Sequence, residues 1–203
     1  AQQMRDSPEL FRSPRFWGYA GTLGLASGAF FAYLGGGPYV GEQVFGMDPA
    51  TFGIYFGAPA VGYFLGNFLS GRYSIRFGIN WMVLTGCIIC AAGITLNLAL
   101  FALGFGTPFS FFALMSLMGL GNGMVIPNAT AGALSVRPHL AGTASGLSGA
   151  LMIGHGAAMS AVAGVVMNHR HGAHPMLIQK AQSAYGAILT ILFVIRREQR
   201  LGV

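Results

Sequence analysis

Hydrophobic positions along this chain gather into six long runs, over residues 16–34, 51–70, 79–103, 108–134, 141–167 and 176–195. Polar or glycine-rich joints of a few residues separate them. A helix needs roughly 20 apolar residues to cross about 30 Å of hydrocarbon, and each run is near or beyond that length. The pattern predicts an all-α membrane protein of six transmembrane helices. Residues 1–15 read as a linker, 16–195 as the bundle and 196–203 as a tail. The sixth run is the least regular, because Gln179, Lys180, Gln182 and Ser183 interrupt its first half. Lys180 falls about one helical turn in, where its stem is expected to snorkel to the outer headgroups.

Charge sorts the joints. Nine of the eleven Lys and Arg residues are Arg5, Arg12, Arg15, Arg72, Arg76, Arg137, Arg196, Arg197 and Arg200. They fall before the first run, between the second and third, between the fourth and fifth, and after the sixth. The alternate joints hold only Arg170 and Lys180 at their margins, with Glu42 and Asp48 in the first. Basic residues are retained on the cytoplasmic side, so the pattern predicts both termini inside.

Composition agrees: 54% of residues are hydrophobic and 8% charged, against about 25% charged in soluble domains. The net charge of +6 follows from this sorting and calls for no nucleic-acid partner. Thirty-two glycines suit membrane helices that approach closely. No cleavable signal precedes the first run. The chain starts at Ala1, and its first fifteen residues resemble an inter-helix linker, so a piece of a longer protein is expected. Cys87 and Cys90 lie inside the third run and read as small apolar filler rather than a redox pair.

Runs one to three and four to six form two triplets. Three is odd, so the second triplet enters from the opposite side, as in inverted repeats. The first run of each triplet meets a proline near its C-terminal end, at Gly35-Gly36-Gly37-Pro38 and at Ile126-Pro127-Asn128. Such interruptions point to a binding site or gate, or simply reflect how freely membrane helices accept proline. Small residues recur every four positions in the second run (Ala58, Gly62, Gly66, Ser70) and the fifth (Gly142, Gly146, Ala150, Gly154, Ala158). These stripes imply close helix contacts, and two of them suggest a partner surface.

The joint after the second run reads Gly71-Arg72-Tyr73-Ser74-Ile75-Arg76-Phe77-Gly78. This G-R-x-x-x-R-x-G core resembles the loop motif of the major facilitator superfamily in its C-terminal copy. The residue before the first Arg, often acidic in the family, is Gly71 here. Plain positive-inside anchoring accounts for the two arginines as well. Tyr33-Leu-Gly-Gly-Gly-Pro38-Tyr39-Val40, Pro127-Asn128-Ala129-Thr130-Ala131 and Ala141-Gly142-Thr143-Ala144-Ser145-Gly146 are similar to Bcr/CflA-type drug exporters. The resemblance implies helices seven to twelve of a twelve-helix, proton-driven multidrug antiporter in a bacterial inner membrane. Its implied partners are a drug-like small molecule, protons, the lipid bilayer and a missing N-terminal six-helix half. It implies no enzymatic activity and no cofactor.

That family likeness also implies that the first and fourth helices line a substrate cavity. Ser27 and Phe30, with Leu23 and Leu34, share a helical face that Tyr33 flanks. Phe111, Met115, Met118 and Asn122 share another. Thioethers repack easily around varied ligands, although the same stripes would serve as bundle core or lipid contact. Asn122 and Asn128 each carry an amide that needs a partner in hydrocarbon. His155 is a candidate proton-responsive group or a neutral hydrogen-bonded imidazole. Gly71, Arg72, Arg76, Gly78, Pro38 and Pro127 are the candidate loop-motif and gating residues. No Asp or Glu lies within a run, which places a coupling acid in the missing half. His169, His171 and His174 are spaced for a metal, but the joint offers no carboxylate or thiolate, so no metal is expected. Two alternatives stay open, a stand-alone six-helix scaffold that dimerises and a metal-binding membrane protein using that cluster.

Overall fold

The computed structural model describes residues 9–167 and 172–202. Helix α1 (Pro14–Tyr39) runs into a π-helical turn at Val40–Val44. Helices α2 (Pro49–Phe56) and α3 (Ala58–Phe77) follow, then α4 (Ile79–Ala102) and α5 (Pro108–Ser135). A 3₁₀ turn at Pro138–Leu140 leads into α6 (Ala141–Val166), and α7 (His174–Leu201) ends the chain. Local signals start and stop them. Asp48 Oδ1 caps α2 by accepting from the Ala50 and Thr51 amides, both at 3.1 Å. Thr107 and Ser110 form a reciprocal capping box on α5. Gly78 ends α3 at φ +84°, where a Cβ would be strained, and donates to the Ser74 carbonyl at 2.9 Å.

Among the described residues, five helices are long and apolar enough to cross a membrane: α2 with α3 as one span, α4, α5, α6 with its 3₁₀ lead, and α7. Glycines and tyrosines dilute the hydropathy of α1, but it is 26 residues long and packs along α5, α6 and α7. It is the sixth rod of the bundle. Among the described residues there is no strand, and the all-α six-helix architecture stands.

The packing has an exchange symmetry. α1 packs on α6 and α7, while α5 packs on α3 and α4. Swapping α1 with α5, α3 with α6 and α4 with α7 turns one set of contacts into the other. The α1–α5 and α4–α7 contacts map onto themselves. Two equivalent triplets, each first helix embraced by the other triplet's second, are what an inverted three-helix repeat requires.

Several boundaries move. Neither proline breaks its helix: Pro38 lies inside α1 and Pro127 inside α5, which continues to Ser135. Lateral packing holds a helix together where proline removes one amide. Gly71 sits mid-helix in α3 rather than in a turn. α7 runs past the expected end at residue 195, because Glu198 is buried and tied across the bundle. Glu198 Oε1 accepts from Arg15 Nη2 at 2.6 Å and from Arg15 Nε at 3.0 Å. The Tyr19 hydroxyl lies 3.0 Å from the same oxygen and 2.6 Å from Asn80 Oδ1, while Asn80 Nδ2 donates to Glu198 Oε2. One carboxylate thus fastens α1, α4 and α7 together.

The two small-residue stripes behave differently. On α3, a methyl at Gly62 would collide with the Ser116 carbonyl, and one at Gly66 with that of Leu120. This stripe is spent inside the bundle, against α5. On α6, methyls at Gly142, Gly146, Gly149 and Gly154 would meet nothing, so only that stripe is left uncovered. His169 and His171 of the expected histidine cluster lie outside the described residues.

Candidate functional site

A cleft of about 500 Å³ opens between α1, α2, α3, α5 and α6. α1 supplies Ser27, Phe30, Phe31, Tyr33 and Leu34; α5 supplies Gly119, Asn122 and Ile126. Phe56 of α2, Pro59, Ala60 and Tyr63 of α3, and Met152 of α6 complete the wall. The narrow approach of α3 to α5 sets the floor: a methyl on Gly119 would strike the Pro59 carbonyl. Tyr33 anchors one side. Its ring stacks on Phe56 with centroids 4.7 Å apart, and its hydroxyl donates to the Phe56 carbonyl at 2.9 Å.

The wall is aromatic and aliphatic, with Ser27 and Asn122 as polar exceptions. Ser27 is 1% exposed and Asn122 2%. The Ser27 hydroxyl and both ends of the Asn122 amide find no hydrogen-bond partner among the described residues. Leaving such groups buried and unpaired costs about 1–3 kcal/mol each. Their polar atoms carry no exposed surface, so both groups lie just beneath the cleft wall rather than on it. An apolar cavity with a few orienting polar atoms is how small-molecule sites are usually built.

The other expected site residues are dispersed. Met115 and Met118 are fully buried outside the cleft, in a core cluster with Phe111, Phe112, Met176 and Leu177. Their helical face is shared with Asn122 but turns into α4 and α7 further along α5. Asn128 is also away from the cleft and fully satisfied. Its Nδ2 donates to Ser70 Oγ at 2.6 Å and to the Met124 carbonyl at 2.7 Å, and its Oδ1 accepts from Ser74 Oγ at 2.7 Å. It pins α5 to α3. His155 lies against α1, its ring filling the space above Gly28, and its Nε2 is buried without a partner among the described residues. Arg72, Arg76, Gly71 and Gly78 are exposed. Neither arginine forms an ion pair with a described residue, and Arg76 rests over the Phe77 ring, 5.4 Å from its centre. Pro38 and Pro127 lie within the cleft helices α1 and α5 but do not line the cleft.

Sequence reasoning missed Phe31, Phe56, Tyr63 and Met152 in the wall, since nothing local marks how far the cleft reaches round α1 or which sides of α2, α3 and α6 turn inward. It also misplaced Lys180. The side chain does not reach the headgroups; it is fully buried, with Nζ 2.6 Å from Met115 Sδ and 5.0 Å from the centre of the Tyr33 ring. A signal existed: Lys180 shares the spacing of Met176, Ala184, Ala187, Ile191 and Val194, the buried stripe of α7.

Comparison with known proteins agrees with this architecture. The chain is 30% identical over 160 residues to the uncharacterized MFS-type transporter YdgK of Bacillus subtilis, covering 77% of this chain and 39% of that protein. It is 29% identical over 192 residues to the bicyclomycin resistance protein homolog of Haemophilus influenzae, covering 93% and 46%. It is 30% identical over 151 residues to multidrug resistance protein D of Escherichia coli, covering 73% and 34%. The chain thus spans less than half the length of these curated relatives. No solved structure matches it. The family model of the Major Facilitator Superfamily matches residues 3–161; with six helices in two exchangeable triplets, the chain belongs to that superfamily of multi-pass membrane transporters.

Proposed function

We propose that these six helices are the C-terminal half of a proton-coupled drug exporter of the bacterial inner membrane, working against a second six-helix half. The observation that carries the reading is the cleft itself. Aromatic and aliphatic side chains line it, and Ser27 and Asn122 of its wall keep unpaired polar atoms just beneath that surface. Relatives named for bicyclomycin and multidrug resistance support drugs as the cargo. The second half is supported by α3 and α6, the least buried of the apolar helices. Both border the cleft, so a body laid across them would close it. Both termini on the cytoplasmic side follow from the arginine distribution.

The test uses the full-length transporter in cells lacking their own drug pumps. Ethidium accumulation should fall on expression and recover when the proton gradient is collapsed. Asn122→Ala should raise accumulation again at unchanged protein level. Accumulation indifferent to the gradient would remove proton coupling, and accumulation indifferent to expression would remove export altogether. A second copy of this chain is the competing cover for α6. Disulfide crosslinking between two copies of Gly154→Cys in the full-length protein would favour it.

A further inference from the structure

At the end of the bundle where α1 begins and α5 and α7 finish, a second cavity of about 390 Å³ is lined by four arginines. Arg12 comes from the lead into α1, Arg15 from its first turn, Arg137 from the joint after α5, and Arg197 from the last turns of α7. Guanidinium groups gathered on one cavity repel one another, so the cluster favours an anion among them. Two carboxylates answer it in part. Glu198 holds Arg15 at 2.6 Å from inside the bundle. Glu9, on the cavity wall, lies 3.5 Å from Arg137 Nε in an exposed pair of little strength. Arg12 and Arg197 are exposed and belong to no ion pair among the described residues. Four positive groups against two negative ones leave two positive charges unmatched.

This clustering goes beyond an excess of basic residues at one side of a membrane. Arg197 and Leu201, one turn apart on α7, line the cavity, whereas Arg196 and Arg200, also one turn apart, do not. Retention of arginine on one side requires no such sorting around a helix. Depth points the same way. The two tryptophans of the chain, Trp17 near the start of α1 and Trp81 near the start of α4, are both exposed. The Tyr19–Asn80 hydrogen bond puts these two helix starts at one end of the bundle. Exposed tryptophan marks the level of lipid headgroups, so the cavity opens where lipid phosphates lie. Pro14 and Leu201 give it an apolar edge suited to glycerol and the first methylenes of an acyl chain.

We propose that this cavity binds the headgroup of an anionic phospholipid carrying two phosphodiesters, the cardiolipin class. The planar fork of arginine meets phosphate oxygens two at a time. Arg12 and Arg197 supply the unmatched charge, Arg137 turns from its weak pair with Glu9 to join them, and Arg15 stays with Glu198. Two phosphodiesters cancel both unmatched charges, whereas a single one cancels half. Basic pockets between membrane helices are a recurrent setting for such headgroups. The bound lipid would hold the lead into α1, the α5–α6 joint and the end of α7 on one headgroup, beside the carboxylate that already fastens α1, α4 and α7. The inference is independent of what the cleft carries.

The experiment titrates the purified full-length protein, in neutral detergent, with cardiolipin, phosphatidylglycerol and phosphatidylcholine, and counts bound lipids by native mass spectrometry. Cardiolipin should fill a high-affinity site that phosphatidylglycerol fills less tightly and phosphatidylcholine does not contest. Arg12→Gln combined with Arg197→Gln should weaken that site about thirtyfold, at about fivefold for each basic side chain lost. Arg196→Gln combined with Arg200→Gln removes the same charge from neighbouring positions and should leave the site as it was. Neither Arg12 nor Arg197 has an ion pair to lose, so both double variants should keep the wild-type melting temperature without lipid. Equal losses of cardiolipin in the two double variants would mean diffuse attraction to a basic face and overturn the site. Phosphatidylglycerol bound as tightly as cardiolipin would overturn the two-phosphate assignment. Displacement of cardiolipin by inorganic phosphate would make the occupant a soluble anion and overturn the lipid. None of these results touches the exporter reading, which the ethidium measurement decides.

Discussion

Two asparagines on α5, about one and two-thirds turns apart, divide the labour between fold and site. Asn128 is saturated: two donations and one acceptance tie it to Ser70, Ser74 and Met124. Replacing it with alanine removes its bonds to both serine hydroxyls of α3, at about 0.5–1.5 kcal/mol for each. Asn128→Ala should therefore lower the melting temperature of the full-length protein in detergent. Asn122 is the reverse case, buried with no bond among the described residues. Asn122→Ala should leave that melting temperature unchanged or slightly raised, while weakening drug binding. Equal losses of stability in both variants would mean that Asn122 is also a structural residue. Both amides stand out in the sequence, because hydrocarbon makes an amide find a partner. Which of them has one was not legible, since that depends on the register of α3 against α5.

At the scale of the helix, the two small-residue stripes make the same lesson sharper. In the sequence they are interchangeable rows with a four-residue period. A glycine row says that a helix face can be approached closely; it does not say by what. In the fold, Gly62 and Gly66 meet backbone of α5, whereas Gly146 and Gly154 meet open space. Gly62→Ala should force α3 and α5 apart, with an overpacking cost of about 1–3 kcal/mol or more, read as loss of folded yield and melting temperature. Gly146→Ala should cost nothing measurable in the fold of these helices. Similar destabilisation by both would mean that α6 is packed against this bundle more tightly than its open face implies. Helix positions themselves were largely legible, because twenty apolar residues between polar joints admit few alternatives. The ends were not: Glu198 and the π-helical turn after Tyr39 extend helices by tertiary bonds and packing that no local signal announces.

For the whole molecule, the sequence carries the topology more fully than the site. Charge sorting and an odd-numbered triplet were enough to anticipate two inverted repeats, and the exchangeable contact pattern of α1, α3, α4 with α5, α6, α7 agrees with them. The cleft was only half legible, since Ser27, Phe30, Tyr33 and Asn122 lie on the two helices the family likeness singled out, but their partners come from packing. The orientation in the membrane rests on the arginines alone, so it has its own test. Ile75 and Leu201 are exposed at the expected inner end, and Ala50 and Phe105 at the expected outer end. Cys87 and Cys90 are buried, which keeps the background from this half low. In intact cells a membrane-impermeant thiol reagent should label Ala50→Cys and Phe105→Cys. Ile75→Cys and Leu201→Cys should react only after permeabilisation. Labelling of Ile75→Cys and Phe105→Cys from one side would place α4 out of the membrane and undo the inverted repeat. Labelling of all four with sides reversed would keep the repeat but require the basic residues to face outward, against the retention of guanidinium groups in the cytoplasm.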